Sequence, residues 1–232
     1  MSAAASPEAP LVGSARYVAI ITDGNGRWAR SRRLSIGEGH RAGADTLKAR
    51  LRDAVELGIE QLTVFSFSTE NWSRPVEEVR GLLAMLAQRI AVEAPELHRH
   101  SVRMRFIGRR DGVARELVEE MERAEALTAR NRLITLFVAF NYGGRAEIVD
   151  AASGFRAGGE ADFRARLYAP DMHDPDLIIR TGGERRLSNF LLWQSAYSEL
   201  VFSDELWPDF KREDLERALE EFRARQRRFG GR

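Results

Sequence analysis

The feature that most constrains this sequence is an alternation of two periodicities. Short apolar runs are separated by longer stretches in which apolar residues recur three and four positions apart. The clearest run is residues 133–140 (LITLFVAF), eight residues broken only by Thr135. A continuous run of that length reads as a strand buried on both faces, as in a parallel sheet. Residues 17–21 and 62–67 read the same way. Residues 102–107 alternate apolar positions with Arg103 and Arg105, as a half-exposed strand does. Residues 177–179 and 200–202 add two short strands.

Between these runs the spacing is helical. Leu47, Leu51, Val55 and Leu57 mark a helix between His40 and Gly58, with Gly58 suited to its C-terminal cap. Pro75 suits the first turn of the next helix. That helix carries Val79, Leu82, Leu83, Leu86, Ile90 and Leu97, runs about 20 residues, and is kinked by Pro95 or ends near it. Its apolar residues cover more than one face, enough for a core contact and for the wall of a hydrocarbon tunnel. Val113, Leu117, Met121, Ala124 and Leu127 mark another helix, residues 145–152 a short one, and residues 214–227 the last. Residues 154–162 read as a Gly-rich loop. The pattern predicts one α/β domain with a mainly parallel central sheet of about six strands flanked by helices. No repeat or linker divides it. Residues 1–15, rich in Ala, Pro and Ser, read as a disordered leader, so the domain spans 16–232.

Composition removes several function classes. Basic and acidic residues number 36 and 35, a net charge of +1, which argues against a general nucleic-acid binder. There is no cysteine, and hence no disulfide scaffold, Cys-zinc site, iron–sulfur cluster or thiol nucleophile. No stretch approaches the ~20 apolar residues of a membrane span, and the N-terminus lacks the basic and apolar regions of a secretory signal. The reading is a cytoplasmic protein. Of the bases, 34 are Arg and 2 are Lys. Compositional bias accounts for most of them. Anion recognition is the alternative for any that fall in a site, because guanidinium binds phosphate bidentately and stays charged.

In open α/β sheets, ligands bind beyond the carboxyl ends of the strands. Four such ends are dense in Gly, Asn, Ser, Arg and acid: residues 22–28 (TDGNGRW), 66–75 (SFSTENWSRP), 141–145 (NYGGR) and 180–189 (RTGGERRLSN). Parallel strands would bring all four to one rim. Residues 23–27 read either as an Asx-Gly turn capping a helix or as an anion cradle with Asp23 as a Mg²⁺ ligand and Arg27 as a phosphate ligand. They match neither the Walker A pattern nor GxGxxG. Arg180, Arg186 and Ser188 could hold a diphosphate, whose charge needs several donors. Arg185, His98 and His100 read as surface. His40 reads equally as a helix cap or a site residue.

Eight segments in order resemble the cis-prenyltransferases: residues 23–29 (DGNGRWA), 39–43 (GHRAG), 67–75 (FSTENWSRP), 141–145 (NYGGR), 180–184 (RTGGE), 188–193 (SNFLLW), 206–210 (LWPDF) and 227–231 (RRFGG). The resemblance runs from about Val18 to Gly231. The paired aspartates of the other large prenyl-chain class are absent, since no two Asp are adjacent. The resemblance implies head-to-tail condensation of isopentenyl diphosphate onto an allylic diphosphate, farnesyl or geranyl, with cis double bonds in the product. A C50–C55 lipid-carrier precursor for cell-wall synthesis is the leading product, with a short-chain product as the alternative. A non-catalytic partner subunit would be expected to lose the 23–27 turn, which this chain keeps.

Residue by residue, the resemblance implies Mg²⁺ held by Asp23 and Glu199, with Asp23, His40, Asn71 and Arg74 at the reaction centre. It implies substrate contacts from Gly24, Asn25, Gly26, Arg27, Trp28, His40, Ser68, Thr69, Glu70, Asn71, Trp72 and Arg74 around the allylic diphosphate. Arg180, Arg186 and Ser188 would hold isopentenyl diphosphate, and Arg228 would reach the partner's site in a homodimer. Two departures matter. Ile36 stands where many members carry Arg, so one phosphate contact is either missing or supplied by Arg32 or Arg33. Phe140 stands where a smaller residue is frequent and, pointed into a tunnel, would shorten the product.

Overall fold

In the computed structural model, residues 15–225 are described. The expected leader, apart from Ala15, and Arg228 lie outside the described residues. Six strands form one sheet in the order β3-β4-β2-β1-β5-β6, and every neighbouring pair is parallel. They are β1 (Tyr17–Ile21), β2 (Gln61–Ser68), β3 (Val102–Ile107), β4 (Ile134–Tyr142), β5 (Leu177–Arg180) and β6 (Glu199–Phe202). In β4 every residue except Thr135 is buried, because helices or loops cover both faces of the sheet there.

The helices are α1 (Asn25–Ser31), α2 (Ile36–Glu56), α3 (Val76–Arg99), α4 (Arg115–Thr128), α5 (Gly144–Ser153), α6 (Glu160–Arg164) and α7 (Arg212–Ala224). The two sheet faces carry separate cores. Val18, Ile20, Leu62 and Val64 pack with Leu51 of α2, Ile90 of α3, Leu117 of α4 and Leu215 of α7. Ala19, Ile21, Phe137 and Ala139 pack instead with Ala169, Met172, Phe190 and Leu191. The alternation along each strand makes this division.

Local signals set the helix ends. α2 begins at Ile36, ahead of the expected His40, because Ser35 and Glu38 close a capping box. The Ser35 Oγ accepts from the Glu38 N–H at 3.3 Å, and the Glu38 carboxylate accepts from the Ser35 N–H at 2.8 Å. At the other end Gly58 has φ +77°, and the Ile59 N–H reaches back to the Ala54 carbonyl at 2.9 Å, a Schellman closure. α3 starts after Pro75 and runs 24 residues with Pro95 inside its final turns, where few intrahelical bonds remain to be lost. α6 is an addition to the elements expected from sequence, falling partly in the predicted Gly-rich loop, and α1 is the helix that one reading of residues 23–27 has the turn cap.

Register fixes the rim. Ile21 lies level with Phe65 and with Arg180, and Ser68 with Tyr142. The segments following β1, β2, β4 and β5 therefore leave the sheet on the same side. Among the described residues, no helix is long and apolar enough to cross a membrane.

Candidate active site

The chain leaves β1 through Thr22 and Asp23 and turns at Gly24, whose φ is +115°. A Cβ on Gly24 would stand 3.0 Å from the Leu206 backbone, so only glycine fits. The Asp23 carbonyl accepts from the Trp207 N–H at 2.9 Å and from the Thr181 hydroxyl at 2.7 Å. The turn is thus pinned to the segment after β5 and to the loop before α7. α1 then lies hard against α2. A Cβ on Gly39 would be 2.3 Å from the Asn25 carbonyl oxygen, and one on Gly43 would be 2.3 Å from Asn25 Oδ1. That buried Oδ1 has no hydrogen-bond partner.

The Asp23 carboxylate sits between two arginines. Arg180 Nη2 donates to Oδ2 at 2.9 Å, and Arg27 Nη2 lies 3.2 Å from Oδ1. The Arg180 side chain is 6% exposed, against 31% for Asp23, so the carboxylate opens to the cavity while its main cationic partner is buried. Arg180 Nη1 also donates to Ser188 Oγ at 2.6 Å and to the Arg186 carbonyl at 2.5 Å. The Arg186 guanidinium itself is exposed and pairs with Glu184 at 2.5 Å. Arg186 thus joins this cluster through its backbone.

The opposite wall comes from β2 and α2. Asn71 Oδ1 accepts from the Ser68 N–H at 3.0 Å, closing a 3₁₀ turn over Thr69–Ser73. Arg74 pairs with Glu78 at 2.9 Å. His40 is half-buried beside them. Burial pushes its pKa down to about 4, Arg74 adds to the fall, and Glu78 opposes it. The imidazole is therefore neutral near pH 7.

Several expected contacts turn elsewhere. Trp28 donates to Asp209 at 2.8 Å with the Arg32 guanidinium 4.4 Å over its ring, and Arg32 also binds Asp209 at 2.9 Å. Neither lines the cavity, and nor does Arg33. The Thr69 hydroxyl donates to Glu70 at 3.2 Å, and Glu70 accepts from Asn189 at 2.8 Å. Trp72 donates to Asn141 Oδ1 at 2.7 Å and packs edge-on against Phe67. These residues brace the rim segments against one another. Glu199 pairs in register with Leu177, at the amino end of the sheet, and accepts from Arg225 at 2.7 Å. Within one chain Glu199 does not join Asp23, because parallel register puts the two at opposite ends of the strands.

What remains is two connected spaces. The rim cavity, of about 420 Å³, is lined by residues 21–27, Arg30, Ile36, His40, Ser68, Asn71, Arg74 and Glu78, among others. An apolar cavity of about 130 Å³ lies beneath it, between α2, α3 and strands β2–β4. Leu86, Ile90, Met104, Leu136, Val138 and Phe140 line it. Thr22, Asn25, His40, Ser66 and Leu82 belong to both walls, so the charged space opens into the greasy one. Arg30 and Glu78 are lining residues outside every segment singled out in the sequence, while Thr22 and Ser66 lie in the rim segments with no role assigned to them. Arg30 follows Arg27 by three residues, a spacing visible as one helix face only once α1 is known.

Residues 21–230 match the prenyltransferase family model for undecaprenyl diphosphate synthase. The chain belongs to this family of cis-prenyltransferases. An isoprenyl transferase of Thermotoga maritima is 50% identical over 225 residues, covering 93% of this chain and 97% of that protein. Isoprenyl transferase 2 of Bradyrhizobium diazoefficiens is 51% identical, covering 100% of this chain and 97% of its own. A crystal structure of lavandulyl diphosphate synthase from Lavandula x intermedia, in complex with dimethylallyl diphosphate, superposes with a TM-score of 0.90 at 34% identity. It covers 94% of this chain and 99% of that one. This cis-prenyltransferase is a transferase acting on isoprenoid diphosphates, and its rim cavity is the candidate site of that chemistry.

Proposed function

We propose that the protein condenses isopentenyl diphosphate head-to-tail onto an allylic diphosphate, farnesyl or geranyl, to give a cis-polyprenyl diphosphate. The carrying observation is the shared wall at Thr22, Asn25, His40, Ser66 and Leu82. A charged space opening into an apolar one matches a molecule with a diphosphate head and a hydrocarbon tail. The allylic head lies at Arg27 and the first turn of α1, with its tail running down toward Phe140. Isopentenyl diphosphate lies at Arg180 and Ser188. The allylic C–O bond breaks and diphosphate leaves with the electron pair. The isopentenyl double bond attacks the allylic carbon, a C–C bond forms, and one proton is lost from the resulting cation. Donors already fixed where the leaving charge develops need no reorganisation, which is the energetic advantage of holding the allylic head at Arg27 and the first turn of α1. Neutral His40 offers one hydrogen bond without adding charge.

Mg²⁺ fits this reading. The ion takes one or two carboxylates and completes its shell with water and substrate phosphate oxygens. Asp23 provides one partly exposed carboxylate, and among the described residues no cluster of three or more His, Cys, Asp or Glu forms a separate cage. When bound there, the ion would neutralise charge on the departing diphosphate. Homodimerisation, with Arg228 reaching the partner's site, and a cytoplasmic enzyme making transient membrane contact complete the proposal.

For product length, the resemblance favours a C50–C55 carrier precursor. A second reading has its own support. About 130 Å³ is close to the ~150 Å³ of an engineered cavity that holds benzene. Phe140 and Phe67, 5.4 Å apart, narrow this space and favour a short chain unless α3 moves outward. Mass spectrometry of products formed from labelled isopentenyl diphosphate with geranyl and farnesyl starters and Mg²⁺ separates the two. Absence of any condensation product contradicts the proposal as a whole.

A further inference from the structure

Of the guanidiniums lining the rim cavity, one is engaged by no carboxylate among the described residues, and it lies outside the eight quoted segments. Three guanidiniums and two carboxylates line it. Arg27 shares the Asp23 carboxylate with the buried Arg180, and Arg74 is paired with Glu78. His40 is neutral. Arg30 lines the same cavity and pairs with no acid among the described residues. Its Nη1 folds back over the start of α1, 3.6 Å from where a Cβ on Gly26 would stand. Arg32 and Arg33, the alternatives in sequence, do not line the cavity, and Arg32 is engaged by Asp209 and Trp28.

We infer that Arg30 is a diphosphate ligand of the allylic pocket, the one guanidinium lining it that no carboxylate among the described residues engages. This rests on the reading that the rim cavity holds the allylic head group. The physical reason is competition. Arg27 and Arg74 must loosen an existing ion pair to meet a phosphate, whereas Arg30 gives up only water. A free guanidinium folded over the helix start can bind two phosphate oxygens with two parallel N–H groups. Ile36 adds an apolar side chain to the same cavity and no competing donor.

The test is steady-state kinetics of Arg30→Gln, Arg30→Lys and Arg33→Gln, with wild type alongside. Arg30 is exposed, so its replacement leaves the packing of α1 through Ala29 intact. Loss of one charge-assisted bond should raise KM for the allylic diphosphate about 10- to 100-fold. The KM for isopentenyl diphosphate should stay within about twofold, because the proposed isopentenyl ligands Arg180 and Ser188 are untouched. Arg30→Lys should recover part of the loss, keeping charge but not the bidentate fork. Arg33→Gln should change neither constant. An unchanged allylic KM in Arg30→Gln overturns the inference while leaving the proposed function standing. So does an equal rise in Arg33→Gln, which would mean a general field effect. A wild type that condenses isopentenyl diphosphate onto no allylic starter removes both.

Discussion

The two sides of α2 are built on opposite terms. Against α1 it offers Gly39 and Gly43, and the backbones meet with no room for one methyl group. Against α3 it leaves an apolar cavity, and the outer seam is laced by half-exposed ion pairs such as Lys48–Glu96 and Arg89–Asp45. Such pairs contribute little each and reform easily. The difference separates two jobs. The polar cradle is rigid, as electrostatic stabilisation of a leaving group requires. The outer seam of the apolar space is laced by weak pairs rather than closed by backbone contact.

The largest effect should come from the rigid side. Asp23→Ala should lower turnover by about 10³-fold or more, corresponding to several kcal/mol of lost stabilisation of the leaving group. Far-UV circular dichroism should stay unchanged. Near-normal incorporation of labelled isopentenyl diphosphate would break the assignment of the cradle.

Gly39→Ala comes next. Its Cβ would sit 2.3 Å from the Asn25 carbonyl oxygen, so α1 must shift. Overpacking of this kind costs about 1–3 kcal/mol. Thermal denaturation should show the loss, and the allylic KM should rise with it. Unaltered stability would mean that the α1–α2 contact is looser than its geometry.

His40 gives the third effect. Its folded pKa of about 4 lies below the ordinary value of 6.5. The unfolded chain therefore binds the extra proton first as pH falls, and stability declines from pH 7 toward pH 4. The decline should amount to about 1–2 kcal/mol by pH 5, and His40→Gln should flatten it in denaturant titrations at each pH. An identical slope in both proteins would remove His40 as the cause.

Gly81→Ala should have the smallest effect and the opposite sign. Gly81 is exposed on α3 with nothing within 4 Å of an added Cβ. The change should stabilise the fold by about 0.5–1 kcal/mol, seen as a higher melting temperature. A destabilisation would show that α3 is packed as tightly as α1.

The same contrast explains what was legible in the sequence. β1 and β3 are found at the bounds expected, and β2 and β4 within two residues, because buried parallel strands are written as apolar runs. The helices α2, α3, α4 and α7 carry apolar stripes and were legible too. α1 was legible only as the helix that the 23–27 turn would cap, and its extent was not, since Ala29 is its one fully buried residue and it docks through glycines of its neighbour, which leave no periodicity. The early start of α2 had a signal, Ser35 and Glu38, that the apolar spacing overshadowed. Register brings all four motif-rich loops to one rim, as parallel pairing predicts. Side-chain direction was the hidden part. Trp28, Trp72 and the Arg186 guanidinium have the right chemistry for a site and turn from the cavity to brace it. Arg30 lies one position past the 23–29 segment, where compositional bias was the expectation for an arginine.

The central claim is that one continuous space holds a diphosphate at its mouth and a growing hydrocarbon beneath. Phe140 tests it most directly, because the residue is wholly buried, lines the apolar cavity and is remote from the Asp23 brace. The measurement is chain length, by mass spectrometry, of the products of wild type and Phe140→Ala under identical conditions. Removing the ring should cost about 3–5 kcal/mol of stability, so both proteins are compared well below their melting temperatures. The account predicts a distribution shifted to longer chains in Phe140→Ala. Identical chain lengths in the two would contradict it.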